Sequence, residues 1–301
     1  MTQELFAAIP SPPQGVWHLG PIPIRAYALC IMTGVIVAIL WSRKRYAARG
    51  GDPEVVMDAA VYVIIFGLIG GRAYHVLTQW DSYFCSDCQP LRVFNLTEGG
   101  LGILGAISLA TVAVWLRFRR LGLSFATFAD AVAPTIAVAQ AIGRLGNWFN
   151  QELYGRETTV PWGLEIYRRV DDTGHYAPLS GHSTGEVLTV VHPTFLYEGL
   201  CSLAVAAILV WADRRFSLTG GRLFALYAVG YSVSRLWVES MRSDPANHIM
   251  GLRVNTVMYA IVLLCAVAFF VLRGARCGHV HFRKRTNVLR TMQEDKAVTE
   301  R

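Results

Sequence analysis

Residues 131–155 read AVAPTIAVAQAIGRLGNWFNQELYG, an apolar run that ends in a group of polar and charged side chains. The apolar part has the character of a membrane-spanning helix. Directly after it stand Arg144, Asn147, Asn150 and Glu152, interleaved with glycines. An ionisable residue at the centre of a bilayer costs about 2.5–3.5 kcal/mol on insertion scales, so this group needs partners or a function. The stretch predicts a spanning helix with a polar site at its end.

The composition is that of a membrane protein. Of the 301 residues, 53% are hydrophobic and 16% are charged, whereas soluble domains carry about 25% charged residues. The apolar residues form blocks of roughly membrane-spanning length. We therefore predict an all-α integral membrane protein with seven transmembrane helices. The spans are predicted at residues 24–41, 55–78, 101–116, 125–145, 194–211, 223–239 and 254–272.

Lysine and arginine residues are concentrated after alternate spans, and this pattern sets the predicted topology. Because cytoplasmic loops are enriched in these residues, the N-terminus is predicted outside and the C-terminus in the cytoplasm. The net charge of +7 is accounted for by these positions, so nucleic acid is not an expected partner. The basic groups are RKR at 43–45, RFRR at 117–120, RR at 214–215 and HFRKR at 281–285.

Two parts of the chain lie outside the predicted spans. The polar stretch 147–191 predicts a small extracytoplasmic subdomain between helices four and five. Residues 1–273 then form one membrane domain that includes it, and residues 274–301 form a basic cytoplasmic tail that we expect to be disordered. Cys85 and Cys88 face the outside, where they can form a local disulfide. This cysteine pair, like the two histidines of HVH at 279–281, offers too few ligands for a metal site, and no metal is expected.

Further polar residues interrupt the other spans. Arg72 follows the glycines of GLIGGRAYH. Arg235 and Glu239, in SVSRLWVES, are four residues apart and share a helix face. Tyr231 precedes Arg235 by one turn, and Tyr27 lies near the outer end of the first span. Arg235 and Glu239 can alternatively form only an intrahelical ion pair, and each tyrosine can be a residue of the interfacial aromatic belt.

Other polar residues are interpreted structurally or remain open. Arg25, Arg242 and Arg253 lie near the interfaces, where a long side chain can extend to water. The group Arg144, Asn147 and Glu152 can also simply cap a helix and open a loop. These alternatives stay open when each residue is taken alone.

Taken together, these residues predict a site for an anionic lipid. Most lie toward the outer half of their spans at similar depth, so their arginines would form a cationic chamber beside the outer leaflet. Guanidinium groups match phosphate oxygens bidentately, which favours a phospholipid headgroup as the occupant. Asparagine and glutamate side chains would add donors and acceptors for glycerol hydroxyls.

The motif GRLGNWFNQELYG at 143–155 resembles the signature of the bacterial prolipoprotein diacylglyceryl transferases, in which Gly-Arg-x-Gly-Asn is followed by Asn-x-Glu and Gly. Further stretches support the resemblance in the expected order and extend it over roughly residues 20–272. These are PIPIRAYALC in span one, GGRAYHVL after span two, EGGLGILGA entering span three, HPTFLYEG opening span five and SRLWVESMRSD ending span six.

The resemblance implies a seven-span enzyme of the bacterial cytoplasmic membrane that acts at its outer face. Such enzymes move the diacylglyceryl group of phosphatidylglycerol to the thiol of a lipobox cysteine in a prolipoprotein, form a thioether and release glycerol phosphate. No metal or organic cofactor is known for the family, and the expected partners are phosphatidylglycerol and prolipoproteins.

The residues receive the following roles in that reaction. Arg144 and Arg235 grip the phosphate, where each donor can contribute about 3–4 kcal/mol to the transition state. Glu152 and Glu239 orient arginines or glycerol hydroxyls, and Asn147 and Tyr27 bind the headgroup. Tyr231 holds the lipid, and Gly155 is required for the backbone geometry. Arg72 and Asn150 complete the predicted substrate-binding set.

One position departs from the family pattern. Many members carry a histidine in the glycine-rich stretch entering span three, where this chain has Leu104 in GGLGILGA. His75 is our candidate replacement for the base that deprotonates the thiol, and His192 is a second, weaker one. Both can instead be structural histidines. A cationic chamber alone also lowers a thiol pKa.

Three other functions were weighed against transfer. A transporter or flippase for an anionic lipid would use the same arginines but predicts internal repeats and a midplane site, and the sequence shows no repeat. An intramembrane protease needs a catalytic motif such as H-E-x-x-H or G-x-S-x-G, and neither occurs. An inactive lipid-binding homologue remains open because of Leu104.

Overall fold

The computed structural model describes residues 8–85, 90–95, 99–242, 248–249 and 252–273, and it is mostly helical. Each of the seven predicted spans coincides with a helix, although most of the helices extend a few residues further. The helices are α1 Ala26–Ala47, α2 Glu54–Thr78, α3 Ile103–Arg120, α4 Phe125–Asn150, α5 Thr194–Phe216, α6 Arg222–Glu239 and α7 Val254–Arg273.

Five of these helices are long and apolar enough to cross a bilayer by length and composition: α1, α2, α4, α5 and α7. The other two are 18 residues long and carry charge. Helix α3 ends in Arg117, Arg119 and Arg120, and α6 buries Arg235 and Glu239. The chain is therefore an integral membrane protein with seven described helices, five of which have the features of a span on their own.

The prediction of an all-α protein is wrong in one respect, because the structure contains short β-strands. The strands are β1 Ile9–Pro10, β2 Val16–Leu19, β3 Ile22–Arg25, β4 Leu164–Val170, β5 His182–Val191, β6 His248–Ile249 and β7 Leu252–Arg253. Strands β4 and β5 form an antiparallel hairpin in the polar stretch between α4 and α5, and β1 pairs in parallel with β4. The physical reason is the alternation in β4, whose Leu164 and Ile166 point into a small core with Val191 and Phe195.

A buried arginine connects the hairpin to neighbouring loops. Arg169 on β4 is fully buried and donates hydrogen bonds to the carbonyl oxygens of Pro12 (2.6 Å) and Pro178 (3.2 Å). Burial lowers the pKa of its guanidinium to about 10. Nearby, the Tyr167 hydroxyl donates to the Glu165 carboxylate, and this hydrogen bond raises the pKa of Tyr167 to about 12.

The chain divides into two compact units, residues 1–38 with 133–301 and residues 39–132. In the first unit, Leu209 of α5 and Leu223 of α6 pack with Ala133 and Ala137 of α4. In the second, Val56 and Ala59 of α2 pack with Val114 and Phe118 of α3.

Gly70 on α2 and Gly105 on α3 bring their helix backbones into contact, since a Cβ on either would collide with the carbonyl oxygen of the other. Cys85 is disulfide-bonded. Cys88 and the predicted tail at 274–301 lie outside the described residues, so both of those predictions stay predictions.

Candidate functional site: a buried chain of arginines and glutamates

The site begins at a strained turn at the end of α4. Directly after Asn150, the backbone of Gln151 (φ 51°) and of Leu153 (φ 56°) is left-handed, a conformation that costs a residue other than glycine about 1–3 kcal/mol. Neighbouring groups hold the turn. The Thr194 hydroxyl donates to the Leu153 carbonyl (2.6 Å), and the Tyr167 amide donates to the Gln151 side chain (2.6 Å). The turn folds Glu152 back toward the last two turns of α4.

The folded-back Glu152 joins the polar side chains of α4. Its Oε1 accepts hydrogen bonds from Asn147 Nδ2 (2.9 Å) and Asn150 Nδ2 (3.2 Å). Arg144 Nη1 in turn donates to Asn147 Oδ1 (3.3 Å). The structure thus brings together the four polar residues predicted at the end of this span, and each of them contacts another member of the group.

Glu198 of α5 connects Arg144 to Arg235 of α6. The side chain of Glu198 is 5% exposed, and its Oε1 lies 2.5 Å from Arg235 Nη1. Its Oε2 forms an ion pair with Arg144 Nη2. Two guanidinium groups from different helices therefore converge on one carboxylate, and we call Arg144 and Arg235 the arginine clamp.

A second carboxylate extends the cluster. Arg235 Nη2 lies 3.2 Å from Glu239 Oε2, as the four-residue spacing predicts. Glu239 Oε1 also accepts from Asn255 Nδ2 (3.2 Å) and lies 2.9 Å from Arg253 Nε. Positive and negative groups thus alternate through Arg144, Glu198, Arg235, Glu239 and Arg253, which we call the charge chain. Three arginines and two glutamates give the charge chain a formal charge of +1.

The predicted tyrosines lie beside the charge chain. A Cβ on Gly146 would lie 2.6 Å from Tyr27 Cδ2 and 3.1 Å from its Cα, so this glycine lets α1 approach α4 closely. This contact places Tyr27 beside the polar end of α4. On α6, the ring of Tyr231 contacts the ring of Tyr259 (centroids 6.0 Å apart).

Gly155 makes its contacts through the backbone, and its role in the reaction stays a prediction. Its amide donates to the His192 carbonyl (3.0 Å), and its backbone pairs with that of Arg242. A Cβ on Gly155 would lie 2.8 Å from His192 Cβ and 3.2 Å from the Met241 carbonyl oxygen. The chain segments that follow α4 and α6 can approach this closely only because the residue is a glycine. His192 itself lies with its Nδ1 3.2 Å from the Tyr197 hydroxyl.

Arg72 and His75 belong to the second unit. The Arg72 guanidinium donates to four backbone carbonyls, those of Arg92, Val93, Gly99 and Gly100, so its contacts organise the loop before α3. The ring of His75 packs edge-on against Tyr83 (6.0 Å). Substrate binding by Arg72 and thiol activation by His75 stay predictions, because the contacts described for these two side chains do not bear on either role. Leu104 lies in the first turn of α3.

Sequence reasoning missed three members of the site. Glu198 stands in the quoted stretch HPTFLYEG, and the cost of a carboxylate within a span was a signal for it. Arg253 had been interpreted as an interfacial residue, whereas the structure pairs it with Glu239. Tyr259 lies under the guanidinium of Arg235, whose Cζ is 5.3 Å from the ring centroid, and the sequence carried no signal for that contact.

Arg253 provides a test of the extended cluster. Replacing it by alanine leaves Glu239 with one cation fewer, so Glu239 pulls Arg235 away from the clamp position. We expect the Arg253→Ala variant to lose anionic-lipid turnover about tenfold, the effect of one charge-assisted hydrogen bond. Arg25→Ala, at an exposed position before α1, is the control and should keep the wild-type rate. Equal rates in the two variants would remove Arg253 from the site.

Fold and site together define a multi-pass membrane protein that buries an arginine cluster of the kind that binds an anionic group. Residues 14–272 match the family profile described as prolipoprotein diacylglyceryl transferase. The chain belongs to that family.

Close relatives agree with this assignment. The phosphatidylglycerol–prolipoprotein diacylglyceryl transferase of Corynebacterium diphtheriae is 59% identical over 274 residues, which cover 91% of this chain and 97% of the relative. The proteins of the same name from Corynebacterium efficiens and Rhodococcus jostii are 60% and 54% identical, over 89% of this chain and 84% and 76% of the relatives.

Proposed function

We propose that this protein transfers the diacylglyceryl group of phosphatidylglycerol to a cysteine thiol of prolipoproteins and releases glycerol phosphate. The names of its relatives carry this activity. The observation in the chain itself that supports it is the convergence of Arg144 and Arg235, from α4 and α6, on the single carboxylate of Glu198. Two guanidinium groups that share one carboxylate can grip two oxygens of one phosphate.

The arginine clamp would act on the leaving group. The sulfur attacks the glycerol carbon that carries the phosphate ester, and the departing phosphate gains a negative charge. Fixed guanidinium donors in a water-poor site stabilise that charge without reorganising, and the loss of one such donor typically costs 10²–10³ in kcat. Arg144 is 22% exposed, so the clamp is partly open to an arriving headgroup.

The polar group at the end of α4 would recognise the rest of the headgroup. Asn147 and Asn150 hold Glu152 through their amides, and Asn147 Oδ1 accepts from Arg144, so Asn150 Oδ1 and Glu152 Oε2 would bind glycerol hydroxyls. Tyr27 lies beside them and would close the headgroup site from α1, while Tyr231 would contact the lipid from α6. Glu239 would hold Arg235 in place through its ion pair.

The substrate cysteine must lose its proton before it attacks. Its unperturbed pKa is about 8.5, and arginines nearby favour the thiolate. The clamp would therefore supply part of the activation itself. His75 is retained as the candidate base in place of the family histidine, whose sequence position is taken by Leu104.

The membrane orientation follows from the charges at the helix ends. Basic residues occupy the last turns of α1, α3 and α5, whereas the polar site lies at the opposite end of α5, next to Thr194. By the positive-inside rule the N-terminus, the β4–β5 hairpin and the site would face the outside of the bacterial cytoplasmic membrane.

A cysteine introduced at Thr173, in the turn of the hairpin, should then react with a membrane-impermeant maleimide in intact cells. A cysteine that does not react there would contradict the predicted topology.

The activity can be tested in cells depleted of their own transferase. The protein is expressed there with a model prolipoprotein whose lipobox carries one cysteine, and the substrate is weighed by mass spectrometry. We expect a mass increase of one diacylglyceryl group, which is absent when the lipobox cysteine is replaced by serine. An unmodified substrate in the presence of correctly inserted protein would contradict the proposal.

A further inference from the structure

Glu198 lies between the two arms of the clamp. One of its oxygens is paired with Arg235 and the other with Arg144. A carboxylate bound in this way presents two oxygens to two guanidinium groups, as a phosphate does. A phosphate that binds both arginines therefore competes with Glu198 for the same donors.

The charges of the cluster favour competition over simple addition. The charge chain carries +1 from three arginines and two glutamates, and Glu152, linked through Asn147, brings the formal sum to zero. A phosphate diester with one negative charge thus meets a site that is already compensated. It gains the full attraction of the clamp only when a carboxylate gives up its contacts.

Glu198 is the carboxylate that can give up its contacts. Glu239 is held from three sides, by Arg235, Arg253 and Asn255. Among the described residues, both ion pairs of Glu198 are with the clamp itself. A rotation of the Glu198 side chain therefore releases both arginines from Glu198 at once, while Arg235 stays paired with Glu239 and Arg144 with Asn147.

We propose that Glu198 is a stand-in for the phosphate: it yields the clamp to the phosphatidylglycerol headgroup and reclaims it to expel the product. This inference rests on the proposed function. It makes Glu198 a positioning residue that sets how tightly the site holds phosphate esters and how fast it releases them.

The charge balance of the reaction explains why release needs such a residue. The S–C bond forms as the C–O bond breaks, and the electron pair of the C–O bond leaves with the phosphate, while the thiol proton is released to solvent. The substrate diester carries one negative charge. The product monoester is mostly a dianion at pH 7, because its second pKa is about 6. The clamp therefore binds the product more tightly than the substrate unless a carboxylate competes.

The test compares Glu198→Gln with wild type in the full-length protein. In vesicles of phosphatidylcholine with graded phosphatidylglycerol and a lipobox peptide, we expect the variant to show a lower KM for phosphatidylglycerol, a lower kcat and a burst of product in the first turnover. In detergent, soluble sn-glycerol 1-phosphate should bind the variant about tenfold more tightly than wild type. Inorganic phosphate should also bind the variant more tightly than wild type, but with lower affinity than glycerol phosphate. These arms separate a lipid headgroup from a free phosphate.

Matched variants keep the test decisive. Glu186→Gln removes an exposed carboxylate that faces Arg168 on the surface, and it should leave KM, kcat and binding unchanged. Glu198→Asp keeps the charge but shortens its reach, and its phosphate affinity should fall between those of wild type and Glu198→Gln. If Glu198→Gln unfolds early, added glycerol phosphate should raise its melting temperature more than that of wild type.

Two outcomes would overturn the inference: unchanged or weaker glycerol phosphate binding by Glu198→Gln, or a raised KM with the lower kcat. Either would make Glu198 a structural support for the arginines. Failure of the proposed function is a different result, namely wild-type protein without transfer in the same vesicles. The binding measurement does not depend on transfer and tests Glu198 in that case too.

Discussion

Replacement of Arg144 by alanine is expected to lower kcat/KM for diacylglyceryl transfer by about 10²–10³-fold while the protein remains folded. The two effects separate because of where Arg144 lies. It is 22% exposed, and its loss leaves Glu198 still paired with Arg235. The folded state therefore loses one arm of the clamp without acquiring an unpaired buried charge.

Lysine at position 144 should not rescue the rate. Arg144 uses Nη2 for Glu198 and Nη1 for Asn147, and this depends on the planar fork of a guanidinium. The ammonium of lysine is a point charge that cannot hold both partners in the same geometry. We expect Arg144→Lys to recover less than a tenth of the lost activity.

The control for both variants is Arg168→Ala. Arg168 lies on β4, is about half exposed, and faces Glu186 across the surface at 3.4 Å, so its removal should leave transfer unchanged. Rates are measured with a fluorescent lipobox peptide in vesicles, and melting temperatures show that each variant is folded. Wild-type activity in Arg144→Ala would exclude the clamp from the reaction.

The helices and part of the site were predictable from local pattern alone. A block of apolar residues of bilayer length has few alternatives to a helix, because the backbone must satisfy its own hydrogen bonds in lipid. The same energetic cost identified Arg144, Arg235 and Glu239, since each stands within or beside an apolar block. These residues could be found because each is an ionisable side chain within or beside an apolar segment.

What the sequence did not reveal depends on which helix faces meet. Glu198 has the same local anomaly as Glu239, but its role comes from lying between α4 and α6, and no spacing along α5 encodes that. Arg253 reaches Glu239 through a tertiary contact, and no local spacing encodes it. The strands were missed because β4 carries two arginines in seven residues, one of which is buried by tertiary contacts.

Replacement of Arg235 by alanine is expected to damage both stability and transfer. Arg235 is 7% exposed and pairs with Glu198 and Glu239, so its loss removes the cation that both buried carboxylates share. Each carboxylate keeps one partner, Glu198 with Arg144 and Glu239 with Arg253, so the cost lies below the roughly 3–5 kcal/mol of a buried ion pair that loses its only partner. We expect a clear fall in melting temperature and a loss of transfer larger than that of Arg144→Ala.

Two further variants divide the two effects. Arg235→Lys keeps a positive charge between the carboxylates and should recover most of the stability, but not the bidentate grip or the activity. Arg235→Met combined with Glu198→Gln removes a cation and an anion together. Glu239 then remains paired with Arg253, and the charge of Arg144 is solvated through its partial exposure. Because removing both partners is far less costly than removing one, the double variant should melt above Arg235→Ala and remain inactive.

The control on the neighbouring helix is Arg214→Ala, at the exposed end of α5, which should change neither measurement. The decisive comparison is between Arg235→Ala and the double variant, measured side by side for melting temperature and for product mass. If Arg235 were only a structural ion pair, the double variant would regain transfer together with stability. If it is an arm of the clamp, stability returns and transfer does not, because the phosphate then meets one guanidinium where the reaction needs two.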